Sequence, residues 1–302
     1  MKTSRLTLAC VLITFFATLP AMAGPRTFVS GLGNDANPGT REQPKRTFAS
    51  ALPVTDAGGE VVVLDPAGFG SSTLTIDKSV SIIVPAGIFG GIRVTSGNAI
   101  TVAAGATDTV VLRGLTLNSG GGTTGSGIEL QSGRALHVEN CIINGFTGSG
   151  AGILVPSSAG EGARLFVKDT ICRGNHTGIR CQAGRASVDH VRLEQNVSVG
   201  LQASGSGTQV SIANSVASGN INGFTGGTGA ELNIEACLMA NNNGSGIWSH
   251  TGATVRVSNS TVTNNGTGLR VNPDSTLKSR GNNTVDGNTP NVNGTITPFS
   301  GM

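Results

Sequence analysis

The sequence predicts an all-β solenoid in which each repeat forms one coil of short parallel strands. Three observations carry this. First, a sentence recurs: "IEACLMANNNGSGIWS" from Ile234 is followed one period later by "VSNSTVTNNGTGLRV" from Val257. Second, the period is near 22 residues, with apolar residues alternating at a spacing of two and never at 3.6, which excludes helical repeats. Third, the 302 residues include 46 Gly, 10 Phe, one Trp and no Tyr, a composition that weakens helices everywhere. Such a chain could be disordered. The regular Val, Ile and Leu spacing says otherwise.

The elements follow in order. Residues 1–23 read as a secretory signal peptide: Lys2 and Arg5, then the apolar run "LTLACVLITFFATL", then Ala21 and Ala23 as a small-residue cleavage site. Without Lys2 and Arg5 the charges are 20−2=18 basic against 17 acidic, a net charge of +1. A nucleic-acid partner is therefore not expected, because phosphate binding needs clustered positive charge. No later segment is long and apolar enough to span a bilayer, and the product is expected to be secreted or periplasmic.

Residues 24–60 form an N-terminal cap. Turns are expected at Gly33-Asn34-Asp35 and Asn37-Pro38-Gly39-Thr40, then a short helix over Ala49–Leu52 capped by Thr47, closing the open end of the core. Residues 61–290 are the coils. Before residue 107 they show only Val/Ile alternation. From Val138 the repeats align, with a polar third position at Asn140, Asp169, His190, Asn214 and Asn259, interrupted by Ala236. Successive steps in this column are 29, 21, 24, 22 and 23 residues. A second column holds Asn175, Asn196, Asn220, Asn242 and Asn265. Asn at a corner tolerates a left-handed backbone, and stacked amides can bond from coil to coil. The Asn-x-Ser/Thr sequons, such as Asn175 and Asn265, follow from this repeat and are not read as glycosylation sites. The coil at 208–230 has an open phase, because "INGFTGSG" at 143 and "INGFTGGTG" at 221 are near copies at different positions in the repeat. Residues 291–302 read as a tail or loose cap. Nine or ten coils at the parallel-strand spacing give a rod roughly 45 Å long.

These coils resemble the pectin lyase-like superfamily. The lead-in "FVSGLGNDANPGTREQPKRTFASAL", "GGEVVVLDPAGF", "LTIDKSVSIIVPAG" is similar to that of many secreted bacterial proteins of this type. The resemblance implies a single-stranded right-handed parallel β-helix. It leaves the activity open, since the superfamily includes lyases, hydrolases, esterases, adhesins and others. Its enzymatic branches need clustered carboxylates with calcium and an Arg or Lys base, or an Asn-Thr-Asp with an Asp pair and a Gly-His-Gly, or a Gly-x-Asp-Phe-like strand. None of these is present. No cofactor, metal ion or calcium repeat is expected, and a monomer is expected.

Two surfaces compete as sites. The charged coils place Glu139, Lys168 and Asp189 in one outward column and Asn144, Arg173 and Glu194 in another, where alternating signs predict a salt-bridge ladder. As a catalytic alternative, Lys168 or Arg192 would be the base for β-elimination on a uronate, helped by His190 or Arg173. Acidic neighbours would raise the lysine pKa, against that role. The other surface is the outward face of the Gly-Ile strands. It carries Glu129, Leu154, Arg180, Gln202, Thr225, Trp248 and Arg270 in one column, and Gln131, Gln182, His250 and Asn272 in the next. A linear glycan repeats about every 5 Å, near the coil spacing, and Arg, Gln and Trp supply donors and a ring face. The substrate-binding candidates are therefore Arg180, Gln202, Trp248, His250 and Arg270. The function expected first is a non-catalytic scaffold for a polysaccharide or surface partner. The alternative is a polysaccharide lyase or glycoside hydrolase. His137 and His176 read as plain surface residues. Of the four cysteines after the leader, Cys141 and Cys237 are four coils apart and cannot bridge. Cys172 and Cys181 share a coil, either bridged or as buried thiols.

Overall fold

A computed structural model describes residues 24–121 and 125–299; the expected signal peptide lies outside them. Among these residues the strands make three parallel sheets of twelve, ten and ten strands. Each coil contributes one strand to each sheet in turn. In one coil these are Arg164–Lys168 (sheet 1), Ile171–Arg173 (sheet 2) and Thr177–Cys181 (sheet 3). Alternation sends Leu165, Val167, Cys172, Ile179 and Cys181 into the core. Burying each aliphatic side chain contributes about 1.5–3 kcal/mol. In-register stacking repeats the same wall in every coil: Leu136, Leu165, Ala186, Val210, Leu232 and Val255 form one column of sheet 1.

The strands of sheet 2 are not separable in the sequence. From Ile142 onward they are three residues long with one inward side chain, too short to show alternation. The phase at 208–230 is settled by register: Phe224 pairs with Leu201 and Ile247 in sheet 3, so no insertion shifts the columns. Its near-copy Phe146 is equally buried but sits at the corner, where Asn175 Oδ1 accepts from its N–H.

The two polar columns divide the roles that the sequence assigns to asparagine. All six residues of the first, Ala236 included, have φ of 49–51°, and they form the sharp corner between sheets 1 and 2. The second column is buried and carries the amide ladder. Asn196 donates through its N–H and its Nδ2 to Asn220 Oδ1 at 2.9 and 3.0 Å, and Asn220 does the same to Asn242 at 3.1 Å. The ladder runs from Asn175 through Asn265 to Asn288. Glycine beside it is required by space: a Cβ on Gly178 would lie 2.5 Å from Gly200 O and 3.2 Å from Asn196 Nδ2.

At the N-terminal end the helix is Phe48–Ala51, continued by a 3-10 turn over Leu52–Val54. Thr47 caps it by accepting from Ser50 N. The Asp35 carboxylate, in the predicted turn, accepts from Arg46 N and Thr47 N at 2.9 Å. Phe48 and Phe69 pack at 5.2 Å and seal the core. A cavity of about 350 Å³ lies there, lined by cap residues including Arg46, Phe48 and Phe69; it is packing space at the joint of cap and first coil, away from the candidate face. All four described cysteines are free and buried. The bridge between Cys172 and Cys181 is not formed: Cys172 stacks between Ile143 and Leu193 in sheet 2, and Cys181 between Val155 and Ala203 in sheet 3, on different walls.

Candidate functional site

The outer face of sheet 3 is held by backbone register. Glu129, Leu154, Arg180, Gln202, Thr225, Trp248 and Arg270 are successive partners across seven strands. At about 4.8 Å per strand, the four steps from Arg180 to Arg270 span about 19 Å. The first sequence column is thus in register, but its side chains do not form one even strip.

At one end Arg180 turns back toward its own coil and the one before it. Its Nη1 donates to Ser149 O at 3.2 Å and its Nη2 to Thr177 Oγ1 at 2.9 Å. Nη2 also lies 3.4 Å from His176 Nδ1, a contact that suits a neutral ring accepting at Nδ1. Burial holds the His176 pKa below its usual value, and the Arg180 charge adds to that. Burial also lowers the guanidinium, and its Nε is buried with no partner. His176 is therefore not the plain surface residue the sequence suggested. It lies one residue before its strand, where column analysis does not reach.

At the other end three predicted residues meet. The Arg270 guanidinium carbon sits 4.5 Å from the Trp248 ring centroid, and the His250 ring lies 4.5 Å from it with planes at 38°. Trp248 Nε1 donates to Asn272 Oδ1 at 3.2 Å. A stacked guanidinium and indole attract through the ring quadrupole, by about 0.5–1 kcal/mol at an exposed site. The His250 pKa is lowered by burial, opposed by Asp274 and reinforced by Arg270. Between the two ends stand Gln202, half-buried, and Thr225, 2% exposed, whose Oγ1 has no hydrogen-bond partner. This end of the face is thus a pre-stacked Arg–Trp–His cluster rather than a bare ring.

The charged coils differ from the expected ladder. Glu139 and Lys168 are register partners, as are Lys168 and Asp189. Yet Glu139 pairs with Arg113 at 2.7 Å, and Glu194 with Arg192 on its own strand at 2.5 Å. Asp189 bonds His190 at 2.8 Å and Asn214 at 2.9 Å. Glu139 takes the arginine of the preceding coil over Lys168, since arginine reaches farther than lysine and presents a fork; Glu194 stands between two arginines and pairs with the one on its own strand. Arg192, a candidate base, is committed to that ion pair. Among the described residues no three His, Cys, Asp or Glu side chains are grouped to hold a metal, and no helix is long and apolar enough to cross a membrane.

Three stacked parallel sheets wound as one solenoid, with inward aliphatic columns and a buried Asn ladder, define the β-helix class. Residues 90–290 match the family model described as "Right handed beta helix region", and the chain belongs to that family. The solved pectate lyase Pel9A is similar in structure, with a TM-score of 0.68 and 17% identity, over 91% of this chain and 79% of that one. A GH136 lacto-N-biosidase from Eubacterium ramulus (TM-score 0.48, 11% identity, 91% and 68% covered) and a rhamnogalacturonan lyase (0.47, 14%, 87% and 87%) are more distant. At these identities the likeness concerns the fold alone. No curated protein matches the sequence.

Proposed function

We propose that this protein is a secreted, non-catalytic scaffold that binds a polysaccharide along the outer face of sheet 3. The observation that carries it is the Arg270–Trp248–His250 stack, set in register with Gln202 and Arg180. A linear chain lying along the rod axis meets Gln202 and then the Trp248 and Arg270 pair, with the buried Thr225 between them. The similarity to a solved pectate lyase supports a polysaccharide as the class of partner. Against β-elimination stand the commitment of Arg192 to Glu194 and the acidic register partners of Lys168.

The test is a glycan-array screen of the purified protein, followed by calorimetry on any glycan retained. Trp248→Ala should weaken binding by about 1–3 kcal/mol, the range for removing an aromatic anchor, and Lys168→Ala should change little. An essential Lys168 with a silent Trp248, or appearance of the unsaturated product of a lyase, would refute the proposal and move the site to the charged coils.

A further inference from the structure

The outer face of sheet 1, on another side of the rod, carries a basic and aromatic cluster that the sheet 3 reading does not use. His137 and Phe166 are register partners, and their rings stack at 4.6 Å with planes 14° apart. Phe166 is 40% exposed. A concavity of about 880 Å³ opens beside them, lined by Thr109, Arg134, His137, Arg164 and Phe166 among others. Arg164 has Arg185 as its register partner on the next strand. Like charges directly opposite destabilise a sheet. Yet none of these three arginines is in an ion pair among the described residues, whose pairs involve Arg26, Arg113, His190, Arg192 and Arg256. Two carboxylates close to them in space do not neutralise them: Asp108, whose carbonyl accepts from Arg134 N, takes Ser79 Oγ and Gly105 N on its side chain, and Glu161 is exposed without an ion pair. Arg164 is nevertheless fixed, because its Nη1 donates to the carbonyls of Glu161, Gly162 and Ala163 at 2.9–3.1 Å. Those bonds clip the adjoining loop and leave Nη2 and Nε for a ligand.

We infer that this cluster is a second binding site, for an acidic glycan whose carboxylate or sulfate groups meet Arg134, Arg164 and Arg185 while the apolar face of a sugar ring lies on Phe166. Two arginines lining one concavity with a flat ring, and a third opposite Arg164 on the next strand, suit an anion carried on a pyranose: the guanidinium fork matches carboxylate and sulfate oxygens, and the ring matches the sugar's C–H face. An anion bridging Arg164 and Arg185 would also remove their repulsion.

The test is affinity electrophoresis of the purified protein through polygalacturonate, dextran sulfate, neutral dextran and duplex DNA. Retardation by polygalacturonate, by dextran sulfate or by both, with none by dextran, is expected, and says which anion the site takes. Arg134→Gln with Arg185→Gln should weaken that binding about tenfold or more, since bonds to charged groups are the stronger ones. Phe166→Ala should weaken it about three- to tenfold, the worth of a ring contact. Trp248→Ala should leave it unchanged, so this site and the sheet 3 site fail separately. All the substituted side chains are at least partly exposed, and unchanged thermal unfolding checks the fold of each variant. Silence of both the arginine and Phe166 variants, no retardation by either acidic glycan, or equal binding of DNA with Phe166 silent would overturn the inference.

Discussion

Replacing Asn220 by alanine removes a side chain that is 1% exposed and makes four hydrogen bonds. Its Nδ2 donates to Leu193 O at 3.0 Å and to Asn242 Oδ1 at 3.1 Å. Its Oδ1 accepts from Asn196 N at 2.9 Å and Asn196 Nδ2 at 3.0 Å. After the change Asn196 Nδ2 still reaches Cys172 O, and Asn242 Oδ1 still accepts from Asn220 N. The Asn196 N–H is left buried without its acceptor, which costs about 1–3 kcal/mol, and each of the three other lost bonds adds about 0.5–1.5 kcal/mol, so about 5 kcal/mol is expected in all. At 2–4 °C per kcal/mol for a chain of this size, Tm should fall by about 10–20 °C. Asn288→Ala supplies the comparison. Asn288 lies half-buried near the last coil, where water can replace the lost amide, and should cost about 1 kcal/mol. Urea unfolding followed by circular dichroism, with unchanged m-values, measures both. Equal losses in the two variants, or a loss below about 0.5 kcal/mol for Asn220→Ala, would refute a structural ladder.

Ala236 occupies the left-handed corner with φ 50° between Asn214 and Asn259. Ala236→Gly should therefore raise stability by about 0.5–1 kcal/mol, the relief of the Cβ clash less the added chain entropy; urea titration reads it, and a loss would contradict the account. Burial pushes the Cys141 and Cys181 thiols up to about 12 and Cys237 to about 11 from an ordinary 9.0, and raises Cys172 as well. The fold keeps these protons while the unfolded chain loses them, so their contribution is complete below pH 9 and declines as pH rises toward 11–12. The same thiols should resist a thiol reagent until the protein is unfolded, and rapid native labelling would count against their burial. Thermal unfolding with and without a chelator should superimpose, because the acidic residues are too scattered to supply the six or more oxygens that calcium prefers.

The repeat was legible because a parallel coil stacks identical positions, so each column of the molecule is a column of the alignment. The two Asn columns and the outward series from Glu129 to Arg270 could be read with no coordinates for that reason. What the columns do not contain is how a side chain turns once it leaves the sheet. Arg180 and Arg270 occupy the same column, yet one bends to His176 and Ser149 and the other lies over Trp248. For Arg180 the deciding partners lie in turns outside the repeat, whereas Arg270 finds its column neighbour Trp248. The three-residue strands of sheet 2 were hidden for another reason: a single inward residue has no period. Pairing of Glu194 with Arg192 rather than Arg173 is a choice between two arginines, one on its own strand and one on the neighbouring strand, which column position alone does not encode.

The asparagine ladder is also an electrical object. Every link points the same way: Phe146 N to Asn175 Oδ1, then each Asn in turn to the next, through Asn288 to Asn291. Amide dipoles aligned head to tail polarise one another, and their positive ends face the C-terminal end of the rod. There the last amide, Asn291 Nδ2, donates to the Asp286 carboxylate at 3.2 Å. A negative charge thus terminates the row where donors accumulate, as an acidic side chain does at the start of an α-helix. The rod has a direction built into its interior, and coils spliced in whole, in the same orientation, would extend that current of dipoles, whereas a coil lacking its asparagine would break it.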